Sequence, residues 1–112
     1  MSEASWEQFE ALDIRVGTVL SCEPFDQPRV PSFVLTIDFG DELGVKKSSA
    51  QLRTLYQAED ITGRQVLAVV NFPPKRVAGF KSECLVLGVY GAPGEVVLIG
   101  PDRLVVNGSR LG

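Results

Sequence analysis

The sequence contains no histidine and only two cysteines, one methionine and one tryptophan in 112 residues. Without histidine, the Ser-His-Asp and Cys-His nucleophile constellations and every His-ligated metal site are excluded. Cys22 and Cys84 are far apart and form no CxxC unit, so two cysteines alone leave no tetrahedral zinc site. No apolar run approaches the ~20 residues that span a bilayer. The acidic start MSEASWEQFE is unlike a signal or transit peptide. Membrane insertion is therefore not expected, and two cysteines set in apolar stretches fit a reduced, cytoplasmic protein. A phosphate-binding glycine loop is missing as well, since the eleven glycines form neither GxGxxG nor GxxxxGK[ST]. The acidic pairs Asp41-Glu42 and Glu59-Asp60 lie beside turns or a helix end, where solvated caps are the usual role. Ser48, Ser49 and Ser82 lie near lysines, but no wider context supports a Ser–Lys nucleophile. The expectation is a non-enzymatic protein that needs neither cofactor nor metal.

What is present is ordinary in amount and uneven in placement. A chain with 45% hydrophobic and 22% charged residues is read as one globular domain over residues 1–112. Its formal net charge of −3 argues, as a sum, against a nucleic-acid partner. Divided along the chain, the sum separates. Residues 1–45 carry two basic against nine acidic side chains, residues 46–81 seven against two, and residues 82–112 two against three. An acidic flank thus precedes a basic working segment.

Hydrophobic periodicity predicts mostly strands. Ser5-Trp6-Glu7-Gln8 fits a capping box that opens a short helix to about Leu12, with Trp6 and Phe9 needing an apolar partner. Ile14, Val16, Thr18, Leu20 and Cys22 alternate with their neighbours, the period of a half-buried strand. Phe33, Leu35, Ile37 and Phe39 do the same, and Val45–Gln51 is a short polar strand. Leu52–Ile61 reads as the one internal helix, closed by Gly63. Gln65–Phe72 and Cys84–Tyr90 are strands with two apolar faces, and Val96–Ile99 and Leu104–Val106 follow. Asn107-Gly108 marks a tight turn. Five principal strands with a helix between the third and fourth give an all-β OB-fold, a five-stranded Greek-key barrel. The late apolar strands are expected to serve as the interface of a homodimer with two-fold symmetry.

Two segments carry the candidate chemistry. In Val45–Gln51, alternation sends Lys46 and Ser48 one way and Lys47, Ser49 and Gln51 the other. In Asn71–Glu83, Lys75, Arg76 and Lys81 surround a Pro/Gly-containing loop, with Phe72 and Phe80 as core plugs or stacking platforms. Cations attract phosphates, and short polar side chains fix register on phosphate or 2′-hydroxyl groups.

These segments, written KKSSAQ and NFPPKRVAGFKSECLVLG, together with DIRVGTV and LTIDFG, closely resemble the CsaA family of tRNA-binding-domain proteins. The resemblance runs from about Trp6 to the C-terminus. A wider group of modules appended to aminoacyl-tRNA synthetases shares the second motif, typically with Asn-Leu where this chain has Asn71-Phe72. The resemblance implies an OB-fold with an N-terminal helix and C-terminal extensions that build a homodimer. It also implies non-catalytic binding of tRNA, recognised by shape through a basic groove, and, as an alternative, an export-chaperone role on unfolded polypeptides. Carried over residue by residue, the nucleic-acid surface falls on Lys46, Lys47, Ser48, Ser49, Gln51, Asn71, Lys75, Arg76, Lys81, Ser82 and Glu83. No synthetase catalytic signature accompanies them.

Overall fold

A computed structural model describes residues 2–112. The chain opens with helix α1 (Trp6–Ala11), whose capping box is complete: Ser5 Oγ accepts from the Gln8 amide, and Gln8 Oε1 accepts from the Ser5 amide. Trp6 nonetheless remains 78% exposed, so the expected apolar partner is not supplied by the described residues of the chain.

Strands β1 (Ile14–Phe25), β2 (Ser32–Asp38) and β3 (Val45–Ala50) form an antiparallel meander. Helix α2 (Ala58–Ile61) follows, then β4 (Gln65–Val69), β5 (Lys75–Val77), β6 (Phe80–Ser82), β7 (Leu85–Val86), β8 (Gly88–Tyr90) and β9 (Val96–Leu98). The main sheet runs β3-β2-β1-β4-β7, while β5–β6 and β8–β9 are separate hairpins. This is the all-β OB-type barrel that the strand order predicts, with a curled sheet around one core.

The core shows why the meander forms. Phe33, Leu35, Ile37 and Phe39 are buried at strand spacing, as their alternation requires. The phase of β1 differs from the expected one. Gly17 and Val19 face the barrel interior, with Gly17 paired to the core residue Val66. A register shift between Val19 and Ser21 then turns Leu20 outward, half-exposed, and Cys22 inward. Ile14 and Val16 are buried on the opposite face of the sheet. Residues 108–111 run along the edge of this part of β1: Gly108 donates to the Val16 carbonyl, and Val16 and Leu111 donate to the Ser109 and Ile14 carbonyls.

The predicted helix Leu52–Ile61 contracts to one turn. Leu52 and Ile61 are both buried at the ends of that segment and plug the barrel, so its apolar spacing serves two anchor points rather than a continuous helical stripe. Gly63 takes φ +88° after it, as expected of a terminating glycine. The predicted strand Cys84–Tyr90 breaks at Leu87, and its second half, from Gly88, pairs with β9 in a separate hairpin whose Val96 and Leu98 pack against the core. Leu104–Val106 is not a strand. The Gln65 side chain instead supplies the donor and acceptor that hold Val105, and Leu104 and Val106 stay largely exposed.

Cys22 and Cys84 are free and buried. Burial, as the largest cause, raises both thiols to about 11, so they are protonated at neutral pH. No described helix is long and apolar enough to cross a membrane.

Candidate nucleic-acid interface

The strand alternation on β3 sorts the first basic segment. Ser48 pairs across from Leu35 and is fully buried, its hydroxyl donating to the Ser49 carbonyl. It is part of the core and offers nothing to a ligand. Lys46, opposite Ile37, is half-buried near Cys84, whose thiol it favours electrostatically in the ionised form. Lys47 and Gln51 are exposed and Ser49 half-exposed.

The second segment folds into the β5–β6 hairpin. Ala78 and Gly79 both take positive φ, 49° and 82°, as a two-residue turn of type I′ requires. The register places Lys75 opposite Ser82, Arg76 opposite Lys81 and Val77 opposite Phe80. Ser82 and Phe80 face the body, where Phe80 meets Phe25 with ring centroids 5.5 Å apart. Arg76 and Lys81 stand exposed, side by side. Like charges directly opposite one another on a ladder are destabilising, so this pair gains from a bound anion. Phe72 is 45% exposed and is not the core plug that its apolar character suggests.

Strand β6 and the residues after it close the barrel against β3, largely through side chains. The Glu83 amide donates to the Lys47 carbonyl at 2.8 Å. Glu83 Oε1 accepts from the Lys47 amide at 3.0 Å, and Ser82 Oγ accepts from the Ser49 amide at 3.1 Å. These side chains stand in for backbone acceptors along the seam. Ser82 is also buried, its hydroxyl donating to the Cys84 carbonyl. Asn71 is a staple of another kind: its Oδ1 accepts from the Asp13 amide and its Nδ2 donates to the Ala11 carbonyl, tying α1 to the end of β4. Ser48, Asn71, Ser82 and Glu83 thus have structural partners, and Ser48 and Ser82 are buried as well.

Closure of the seam brings the remaining residues together. Lys47, Ser49 and Gln51 adjoin the hairpin that carries Lys75, Arg76 and Lys81. Among the described residues, none of the five cations Lys46, Lys47, Lys75, Arg76 and Lys81 has an ion-pair partner, whereas Arg15, Arg53, Arg103 and Arg110 all do. Some of the flank's carboxylates have partners of their own: Asp13 binds Arg15 and Arg110, Asp26 binds Arg53, and Asp38 accepts from the Gly40 amide. Arg53 escaped the motif reading. It sits with its guanidinium 5.7 Å from the Phe33 ring centroid at the edge of this surface. Only its place in the basic segment hinted at it.

Comparison with known proteins gives the family. Residues 14–110 match the family described as "Putative tRNA binding domain". The structure is similar to that of the chaperone CsaA from Bacillus anthracis, with 53% identity, 99% of this chain and 100% of that one covered, and a TM-score of 0.94. It is similar also to the CsaA chaperone protein from Picrophilus torridus, with 38% identity, 98% and 100% coverage, and a TM-score of 0.91. Methionine–tRNA ligase of Porphyromonas gingivalis is 34% identical over 111 residues, covering 97% of this chain. The chain spans only 16% of that enzyme's length. By family match, identity and full-length structural overlap, the chain belongs to the tRNA-binding-domain family and, within it, is CsaA-like.

Proposed function

We propose that the chain binds folded tRNA without acting on it chemically, through the cations gathered along the β3–β6 seam and the β5–β6 hairpin. The observation that carries this reading is the concentration of ion-pair-free cations there, beside exposed Phe72 and the half-exposed Ser49. Lys75, Arg76, Lys81 and Lys47 position phosphates, and Ser49 and Gln51 hydrogen-bond sugar or phosphate. Buried free thiols fit a reducing compartment, the cytoplasm. If about five phosphates are neutralised, log K for folded tRNA falls with log[salt] at a slope of roughly −3.5 to −4.5. Filter binding between 50 and 200 mM salt measures this, and an affinity that ignores salt would overturn the reading.

The surface is doubled in a homodimer. Trp6, Tyr90, Leu104 and Val106 are 78–92% exposed, an amount of apolar surface that a second copy would cover. Light scattering should give a mass near twice 12.2 kDa; a monomer at micromolar concentration would remove the dimer. A second reading, capture of unfolded polypeptide, draws on the same apolar exposure and on the chaperone names of the similar structures. Competition separates the two, because tRNA displaces a bound peptide only if their sites overlap.

A further inference from the structure

Of the seven cations between residues 46 and 81, one is ion-paired among the described residues. Arg53 stands just beyond β3, and its Nη1 donates to the carboxylate of Asp26 in the loop between β1 and β2. The guanidinium lies over the ring of Phe33, a residue only 4% exposed, so the platform beneath it is fixed by the core. Asp26 follows Phe25, the residue on which Phe80 of the cationic hairpin rests. The pair therefore sits at the border of the ion-pair-free cations. Its two members differ in exposure: the Arg53 side chain is 34% accessible and the Asp26 side chain 72%.

A carboxylate and a phosphate offer a guanidinium the same forked pair of acceptor oxygens. An ion pair whose acid is this open to water is held weakly, so exchanging its anion costs little. We infer that Arg53 is a further phosphate contact of this surface, and that Asp26 is an internal competitor which occupies it until an RNA phosphate takes its place. This rests on the tRNA reading above and extends it to selectivity. A partner that already engages Lys47 and the hairpin delivers its next phosphate to Arg53 at high effective concentration and displaces Asp26. A polyanion held at one or two points does not. Asp26 thus lowers loose binding more than it lowers binding of a partner with the right shape.

The test is a double-mutant cycle on the full chain, with folded tRNA in filter binding at several salt concentrations. Asp26→Asn should tighten binding about three-fold. Arg53→Gln should weaken it about five-fold and reduce the magnitude of the salt slope by roughly 0.7–0.9. In the Arg53→Gln background, Asp26→Asn should lose most of its effect. Arg53→Lys keeps the charge without the fork and should fall between the wild type and Arg53→Gln, which guards against a folding defect in the latter. If Asp26→Asn tightens binding equally in both backgrounds, its charge acts at a distance and the inference fails while the tRNA reading stands. An unchanged slope in Arg53→Gln overturns it in the same way. Absence of salt-dependent tRNA binding by the wild type would instead remove the reading beneath it.

Discussion

Replacing Lys75, Arg76 and Lys81 together by alanine should weaken binding of folded tRNA about 100-fold, taking about 1 kcal/mol for each exposed ionic contact. The salt slope should lose roughly 2–3 of its magnitude, because three phosphates are no longer neutralised. The fold should be unaffected. All three residues are exposed, and the one hydrogen bond lost, from Arg76 Nη1 to the Gly79 carbonyl, is itself exposed. Removing both members of the Arg76–Lys81 pair also relieves like-charge repulsion across the hairpin. A melting temperature within a few degrees of wild type, together with the lost affinity, would locate the effect in binding. Unchanged affinity in a folded triple variant would show that tRNA is held elsewhere.

Gly17→Val should produce the largest loss of stability of any single change at a glycine in the barrel interior. A Cβ at this position would lie 2.5 Å from Ile37 Cγ2 and 2.8 Å from two atoms of the Phe39 ring. Both neighbours are fully buried, so neither can swing into solvent. Overpacking of this kind typically costs about 1–3 kcal/mol, and the branched valine lies at or above the upper end. For a domain of this size that corresponds to a fall in Tm of about 10 °C, readable by calorimetry. Gly17→Ala should be milder, since alanine adds the Cβ without valine's two γ-methyls. Because the conflict lies with Ile37, Ile37→Ala should cost less in the Gly17→Ala background than alone. Strict additivity would mean that β1 shifts away instead of pressing on the core.

The parts of the fold legible in the sequence are those where one physical cause dominates. The alternation of Phe33, Leu35, Ile37 and Phe39 answers to a single buried face, and the Ser5–Gln8 box to a local exchange of hydrogen bonds. The phase of β1 was misleading because its innermost residue is a glycine, which adds nothing to a hydropathy pattern. Meanwhile Ile14 and Val16, of the alternate set, are buried as well. At the site, residue types pointed to a candidate surface but not to each residue's place in it. Asn71, Ser82 and Glu83 look like ligand residues because amide, hydroxyl and carboxylate groups bind RNA and complete backbone hydrogen bonds equally well. The partners at 2.8–3.1 Å show the second of those uses. Ser48 shows the limit most plainly, a hydroxyl with no accessible surface inside a segment otherwise read as polar.

The pairing of β1 with residues 108–111 has a consequence for the order in which the molecule assembles. Arg15 donates to the Gly108 carbonyl across 93 residues, and the backbone bonds of Ile14 and Val16 span a similar separation. During synthesis, β2 and then β4 reach β1 early, but one edge of its first residues stays unpaired until residues 108–111 have been made. The β1–β2–β3 meander, built from contacts near in sequence, is therefore the natural nucleus, and the pairing of residues 108–111 with β1 comes later. In the interval the amide and carbonyl of Val16 and the carbonyl of Ile14 lie on an open strand edge, a template on which another chain can pair.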